Sequence, residues 1–366
     1  MALIEVPSGL EGVIAFDTTI AEPDKEGGAL RYRGVDIEEL VGRVPFEKVW
    51  GLLVDGDYEP GLPPAQPHPL AVRTGDPRVD LQAALAMLAP EWGLRQLIDL
   101  SDDEARNDLA RVSVMALSFV AQSARGVGRP PVSQVEIDKA RSIPERFLLR
   151  WRGEADPRHV KAIDAYWISA AEHGMNASTF TARVVASTGA DVAAALSAAV
   201  GALSGPLHGG APSRVLAMLD GVEETGDAER WVKDALDRGD RLMGFGHRVY
   251  RAEDPRARVL RRTAREIGAP RLEVAERLEE AALAELKARK PDRVLATNVE
   301  FWSAVVLDFA DVPPALFTPL FSCARVGGWA AHIMEQKREV RLIRPTARYV
   351  GPEPRPADAV NGAGPV

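Results

Sequence analysis

The amino-acid sequence predicts a mainly α-helical protein, and three observations lead to this fold class. Apolar residues recur at helical spacing through most of the 366 residues. Strand signals are weak and lie mostly near the N-terminus. Strands and helices do not alternate along the chain, which disfavours a doubly wound sheet. At about 150 residues per domain, the length suggests two domains.

The first elements are predicted before residue 70. Residues 13–19 and 29–32 flank two consecutive glycines and are predicted to pair as a short β-hairpin. Residues 36–54 carry apolar side chains at close to helical spacing, and Gly56 after them favours the end of a helix. Residues 61–70 contain four prolines and are predicted to form an exposed loop.

Further helices are predicted along the rest of the chain. Ser133 and Glu136 match a capping box at the start of one helix, which Pro144 is expected to kink or divide. The helix at 191–203 consists mostly of small side chains, which suit either a tightly packed core or a subunit interface. The tail from residue 351 is rich in proline and glycine and is expected to be irregular. The other predicted helices span residues 103–124, 160–172, 228–237, 272–288 and 314–337.

The composition excludes several classes of protein. Apolar types make up 46% and charged types 27% of the residues, as in soluble globular proteins. The one cysteine, Cys323, rules out an internal disulfide and a cysteine metal cluster, and no HExxH pair indicates another metal site. The most apolar window, residues 192–203, is too short to span a bilayer, and no secretory signal is recognised. A cytoplasmic location is therefore expected.

The charge distribution favours a small anionic ligand over a polymer. The net charge of -8 argues against bulk nucleic-acid binding. Residues 248–265 nevertheless contain seven arginines and two acidic residues, a local charge of +5. On charge alone, a solvated helix face explains this patch better than a ligand does.

Three histidines each lie beside glycine at a break between predicted helices. His173 precedes Gly174, His208 precedes two glycines, and His247 follows Gly246. Glycine lets the backbone approach a ligand, and helix N-termini offer free N–H groups to anions. Each imidazole could instead cap a helix or fill a junction, although three similar settings favour a shared site.

Arg256 and Glu300 each have a functional and a structural interpretation. Arg256 would lie in the first turn of a helix opened by Pro255, where its charge opposes the helix dipole unless an anion is held there. A salt bridge to Asp254 or Glu253 is the alternative. Glu300 stands three residues after Thr297, a capping-box spacing that by itself favours a structural role for this glutamate.

Arg325 is placed on an apolar helix face. On the helix predicted over 314–337, Arg325 shares one face with Phe321, Trp329 and His332. A guanidinium in such surroundings is costly unless it is paired. The carboxylate of a ligand or an internal aspartate or glutamate would pair it equally well, and the pattern does not choose between them.

At these positions the sequence resembles the citrate synthase family, in its short actinobacterial form. The resemblance extends over nearly the whole chain and rests on seven segments in family order. They are residues 27–40 (GGALRYRGVDIEEL), 173–183 (HGMNASTFTAR), 205–211 (GPLHGGA), 244–256 (GFGHRVYRAEDPR), 298–302 (NVEFW), 317–326 (FTPLF followed by ARV) and 343–352 (IRPTARYVGP).

The resemblance implies a homodimer of two-domain subunits. A large helical domain would comprise residues 1–210 and 310–366. A smaller mobile helical domain, residues 211–309, would close over the active-site cleft and exclude water. His208 would lie near the hinge between the two.

The implied reaction condenses acetyl-CoA with oxaloacetate and water to give citrate and CoA, with acetyl-CoA as a co-substrate and no permanently bound cofactor. Two alternatives remain: a 2-methylcitrate synthase that uses propionyl-CoA, and a catalytically weakened homologue that binds CoA or dicarboxylates. By motif, Glu300 would remove a proton from the acetyl methyl group. A neutral His208 would donate a hydrogen bond to the thioester oxygen, and His247 would polarise the ketone.

The resemblance also implies which cations hold the substrates. His173, His247, Arg256 and Arg325 would bind oxaloacetate, together with Arg344 from the partner subunit. Arg251 would contact a phosphate of CoA. These are residue types that pair well with anions, since each charge-assisted hydrogen bond contributes about 1.5–3 kcal/mol.

Two departures from the family pattern are visible. Glu300 stands where the family usually has Asp, which extends the carboxylate by one methylene. A displacement of about 1 Å can cost about 10²-fold in rate. The longer side chain therefore leaves three alternatives: the backbone is shifted to compensate, the enzyme is slow, or it is tuned to another acyl group. Residues 169–172 (SAAE) replace the commoner His-x-Asp before His173, so the contacts of that histidine are open.

Overall fold

The computed structural model describes residues 4–24, 26, 28–208, 212–246, 253–293 and 295–360, and these are mainly α-helical, as predicted. The helices are α1 Ile37–Leu40, α2 Phe46–Asp55, α3 Pro77–Trp92, α4 Asp102–Arg125, α5 Gln134–Ile137, α6 Ile143–Arg152, α7 Pro157–Ala170, α8 Ala177–Ser187, α9 Val192–Leu203, α10 Pro212–Thr225, α11 Ala228–Asp237, α12 Pro255–Ile267, α13 Leu272–Arg289, α14 Val299–Phe309 and α15 Phe317–Glu339. Within this part of the chain, no helix is both long and apolar enough to cross a membrane.

A small antiparallel sheet lies near the N-terminus, with strand order β1 (Ala21–Asp24), β2 (Ala29–Tyr32) and β3 (Val35–Asp36). The second strand of the predicted hairpin is therefore confirmed, but its first strand is not residues 13–19. Ala21 pairs with Tyr32 instead. Pro23 is tolerated in β1 because this strand is at the edge of the sheet, where a missing N–H breaks no ladder.

The helix predicted over residues 36–54 is wrong as a single element, because it is divided into α1 and α2. Asp36 caps α1 by accepting the Glu38 N–H at 2.9 Å. Between the two helices, Gly42 adopts a positive φ of 81°. Pro45 then disfavours helical geometry in the residue before it. The spacing of apolar residues alone did not reveal these two interruptions of the helix, at Gly42 and before Pro45.

Proline also divides the helix predicted from Ser133. Ser133 caps α5, which ends at Ile137. Pro144 lies in the first turn of α6, where its missing N–H costs no hydrogen bond. The prediction that Pro144 divides this region is confirmed.

Two helices, α15 and α14, position the candidate site. α15 is buried along most of its length and packs against α2, α4, α7 and α8. α14 packs against α7, α10 and α12. The small side chains of α9 lie against α3 and α8, so they serve the core of the subunit. α8 thus lies directly against α15, while α12 and α14 pack against each other and against α7, which also contacts α15.

Candidate active site

His208 is held at the N-terminus of α8. Asn176 caps this helix by accepting the Thr179 N–H at 3.1 Å, and Ser178 lies in its first turn. The backbone N–H of Ser178 donates to Nε2 of His208 at 3.4 Å, and the Ser178 Oγ lies 2.9 Å from the same nitrogen. A backbone N–H can only donate, so Nε2 accepts and the neutral ring carries its proton on Nδ1.

The charge state of His208 follows from its surroundings. Burial lowers the pKa of His208 to about 4, and the nearby Arg325 cation acts in the same direction. The positive end of the α8 dipole also disfavours an imidazolium. At neutral pH the ring is therefore uncharged and offers Nδ1–H as a hydrogen-bond donor.

We expect His208 to remain neutral down to about pH 4, whereas an unperturbed histidine titrates near about pH 6.5. ¹⁵N NMR of ring-labelled protein measures both the pKa and the tautomer, and His208→Gln assigns the signals. A titration near pH 6.5, or a proton on Nε2 at pH 7, would contradict this assignment.

Arg325 is buried without a carboxylate partner among the described residues. It is 2% exposed, its Nε donates to the Ala170 carbonyl at 2.9 Å, and its guanidinium lies 4.9 Å from the Phe321 ring. It forms no ion pair with any described carboxylate, so the internal salt bridge that the sequence left open is not found. Burial lowers the pKa of Arg325, although Glu172 opposes this effect. The amino groups are suited to bidentate binding of a ligand carboxylate.

Residues 169–172, which stand where the family commonly has His-x-Asp, still place a buried carboxylate next to His173. Glu172 is fully buried, and its Oε1 lies 3.5 Å from Nε2 of His332 on α15. Burial alone would raise the pKa of Glu172, but His332 and Arg325 outweigh it and hold this pKa below its ordinary value. His173 itself is half-buried, between α7 and α8.

Arg256 lies in the first turn of α12 and is paired with Asp254. Nε of Arg256 donates to Oδ1 of Asp254 at 3.0 Å, and Nη2 donates to Oδ2 at 2.8 Å. Both residues are buried. The salt-bridge alternative for Arg256 is therefore present in the fold. It fixes the direction of the guanidinium, which is compatible with binding an anion as well.

Glu300 is not part of a capping box. Asn298, not Thr297, caps α14 and accepts the Glu300 N–H at 3.0 Å. Oγ1 of Thr297 is buried without a hydrogen-bond partner in the described part of the chain, so the prediction that it caps the helix is wrong. The Glu300 carboxylate forms no hydrogen bond with a described residue. Burial raises the pKa of Glu300, while Arg256 and Arg241 act against it.

The described part of the basic patch is neutralised by carboxylates, as a solvated helix face would be. Arg258 and Arg262 both bind Glu38 of α1, the first with an Nε–Oε1 distance of 2.6 Å. Arg261 binds Glu279 at 3.0 Å. These arginines of α12 therefore have internal partners.

Of the three other predicted site residues, the structure describes only Arg344. His247 and Arg251 lie outside the described residues. Arg344 is exposed, in the extended segment after α15.

The site residues that the structure describes influence one another electrostatically. Arg325 influences both His208 and Arg256, and Arg256 influences Glu300. Tyr166, buried on α7, is within electrostatic reach of Arg325, Arg256 and Glu300. His208, Arg325, Arg256 and Glu300 thus form a series in which each group is within electrostatic range of the next. The described residues contain no cluster of side chains that could hold a metal ion.

Sequence reasoning missed two side chains that orient His208. Ser178 holds the ring, and Nε1 of Trp329 donates to the Ser178 Oγ at 3.2 Å. The signal for Ser178 was its place two residues after the helix-capping Asn176. Trp329 was placed on the correct face of its helix but was not assigned to the site.

Comparison with known proteins identifies the family. Residues 9–346 match the model of the citrate synthase C-terminal domain. The chain belongs to the citrate synthase family. Family membership makes it an acyltransferase, and it confirms the resemblance seen in the seven sequence segments.

Several relatives in the family cover nearly the whole chain. A Mycobacterium tuberculosis protein, provisionally named citrate synthase 2, is 66% identical over 97% of this chain and 95% of its own length. The citrate synthase of Haloferax volcanii is 38% identical over 95% of this chain and 96% of its own. The 2-methylcitrate synthase of Shewanella oneidensis is 32% identical, with the same two coverages.

Solved structures show the same fold. The citrate synthase of Thermoplasma acidophilum, in a ternary complex with carboxymethyl coenzyme A and oxaloacetate, aligns with a TM-score of 0.78 at 28% identity. The alignment covers 97% of this chain and 100% of that one. The Thermotoga maritima citrate synthase aligns with a TM-score of 0.73 at 31% identity, over 98% and 100% of the two chains.

Proposed function

We propose that this enzyme condenses acetyl-CoA with oxaloacetate and water to give citrate and CoA. The observation that carries the proposal is the buried guanidinium of Arg325, which has no carboxylate partner among the described residues and lies within electrostatic range of a neutral His208. A keto-dicarboxylate supplies the missing negative charge. A solved relative is a complex with oxaloacetate and a CoA analogue, which supports the same pair of ligands.

In the proposed mechanism, Glu300 removes a proton from the acetyl methyl group, and the electron pair moves towards the thioester oxygen. The raised pKa of Glu300 makes its carboxylate a stronger base than an exposed glutamate. His208 donates its Nδ1–H to the developing enolate oxygen. The enol carbon then attacks the ketone of oxaloacetate, which His247 polarises and protonates. Water finally hydrolyses the thioester, which releases CoA as the thiol.

The carboxylates of oxaloacetate are assigned to His173, Arg256 and Arg325, with Arg344 completing the site of the partner subunit. Two rigidly held arginines suit this task because a guanidinium pairs with a carboxylate in two parallel hydrogen bonds. Arg251 is assigned to a phosphate of CoA. No permanently bound cofactor takes part in these steps.

We also infer a cytoplasmic homodimer in which each subunit has two domains, residues 1–210 with 310–366 and residues 211–309. Apolar side chains are exposed on the extended segments at both ends of the described chain, such as Ile4, Ile14 and Val350, each more than four-fifths exposed. A salt bridge between Glu5 and Arg348 joins these segments at 2.8 Å. An exposed apolar patch supports a subunit interface. A monomer in analytical ultracentrifugation would contradict this assembly.

The substrates are tested by following thiol release with oxaloacetate and either acetyl-CoA or propionyl-CoA. We expect a higher kcat/KM with acetyl-CoA. Equal or faster turnover of propionyl-CoA would favour the 2-methylcitrate reaction, which a 32% identical relative is named for. Absence of turnover with both donors would contradict the proposed reaction and favour a binding protein.

A further inference from the structure

Two segments of the chain pair directly in front of α14. The Asn298 N–H donates to the Gly244 carbonyl at 2.9 Å, and the Gly246 N–H donates to the Ala296 carbonyl at 2.7 Å. Phe245 and Thr297 form the antiparallel bridge between these bonds. Residues 244–246, which lead directly into His247, are thereby joined to the residues that lead into Glu300.

Glycine is required at position 244 for this approach. Its φ of 87° lies in the left-handed region, and a Cβ atom there would come within 2.8 Å of Cβ of Phe301. Any side chain at Gly244 would therefore push the segment away from α14. The close contact shows that residues 244–246 and the first turn of α14 are packed as one unit.

The carboxamide of Asn298 uses both of its ends at this junction. Its Oδ1 accepts the Glu300 N–H at 3.0 Å, and its Nδ2 donates to the Gly246 carbonyl at 2.9 Å. Asn298 is only 8% exposed, so water competes little for these bonds. One side chain thus contacts the backbone of Glu300 and the carbonyl that immediately precedes His247.

After residues 247–252 in the chain, Asp254 makes a second connection to the start of α14. Its Oδ2 accepts the Val299 N–H at 3.0 Å while its two oxygens also bind the Arg256 side chain. The chain before and after residues 247–252 is therefore fastened to the same helix turn. That turn carries Glu300.

We propose that Asn298 is a positioning residue that fixes Glu300 relative to the segment carrying His247. The inference rests on the proposed function, in which Glu300 forms the enol and His247 polarises its acceptor. Condensation needs Glu300 and His247 at a fixed separation, whereas most of the affinity for oxaloacetate is assigned to its carboxylates, which His173 and the arginines bind. Asn298 therefore acts on kcat and leaves the affinity for oxaloacetate largely unchanged.

The test uses variants that retain the helix cap and lose the donor to Gly246, and Asn298→Ser does so without adding a charge. Asn298→Ser and Asn298→Asp both keep an N-cap oxygen of about equal strength. Because a misplacement of about 1 Å costs about 10²-fold, we expect kcat to fall about 10- to 100-fold. The KM for oxaloacetate should stay within about threefold and the melting temperature nearly unchanged. Asp227→Ala, which removes the cap of α11, is the control: it should lower stability and leave kcat intact.

Wild-type kcat in both Asn298 variants, or a loss of kcat matched by an equal loss of stability in each, would overturn the positioning role. Amide hydrogen exchange provides a readout that does not need turnover. Asn298→Ser should speed exchange across residues 244–246 and leave the interior of α14 protected, and unchanged exchange there would contradict the inference. An inactive wild type would refute the proposed function separately.

Discussion

Glu300→Gln is expected to lower kcat/KM for acetyl-CoA by about 10²–10⁴-fold, the usual contribution of a general base. The amide cannot accept the methyl proton at neutral pH. The Glu300 N–H bond to Asn298 remains, so the start of α14 should be preserved. Calorimetric titration with oxaloacetate should show nearly wild-type affinity. A variant that keeps more than about a tenth of the activity would exclude Glu300 as the base.

Glu300→Asp is the matched control, because it restores the residue that the family usually has. The carboxylate would withdraw by one methylene while the backbone of Glu300 stays fixed by its cap. If the backbone is arranged for the longer side chain, activity should fall about 10- to 100-fold, as expected for a displacement of about 1 Å. Faster turnover by the aspartate variant would show that the natural enzyme is slowed by Glu300.

Arg325→Met is expected to separate stability from substrate binding. The wild-type guanidinium forms no ion pair with a described carboxylate, so an apolar side chain of similar size should lower the melting temperature of the ligand-free protein only slightly, through the nearby positive charge that Glu172 loses. Loss of charge-assisted bonds of about 1.5–3 kcal/mol should weaken oxaloacetate binding about 10- to 150-fold. Scanning calorimetry with and without oxaloacetate measures both effects, since a bound ligand stabilises the fold.

Arg183→Met provides the comparison. Arg183 is equally buried, but its amino groups bind Glu335 at 2.6 Å and Glu339 at 2.9 Å. Removing it leaves carboxylates without their partner, and we expect a loss of about 3–5 kcal/mol of stability. If Arg325→Met is destabilised to the same extent as Arg183→Met, Arg325 is a structural residue and the proposed oxaloacetate contact is wrong.

Helix identity was largely predictable from the sequence, whereas helix boundaries were less so. α4 and α9 follow amphipathic or apolar runs with strong caps, and their predicted bounds agree within two residues with the structure. α3 was missed, although Asp76 and Pro77 signal its start. Its mixture of alanine and leucine shows little contrast between faces, so periodicity did not reveal it.

The candidate site was predictable where sequence patterns mark a break in the chain. Glycine and proline around His173, His208 and Arg256 indicated helix junctions, and the structure places these residues at such junctions. The partners of each side chain could not be predicted, because they are distant in sequence. Ser178 is 30 residues from His208. Pairing across such distances follows from helix packing and not from local pattern.

A crystal structure with oxaloacetate and carboxymethyl-CoA bound tests the central claim most directly. Our account predicts that a carboxylate of oxaloacetate binds Arg325 in a bidentate manner, that Nδ1 of His208 faces the oxygen of the bound acyl group, and that the Glu300 carboxylate approaches its α-carbon. Oxaloacetate bound away from Arg325, or Glu300 turned away from the acyl group in the closed complex, would contradict it.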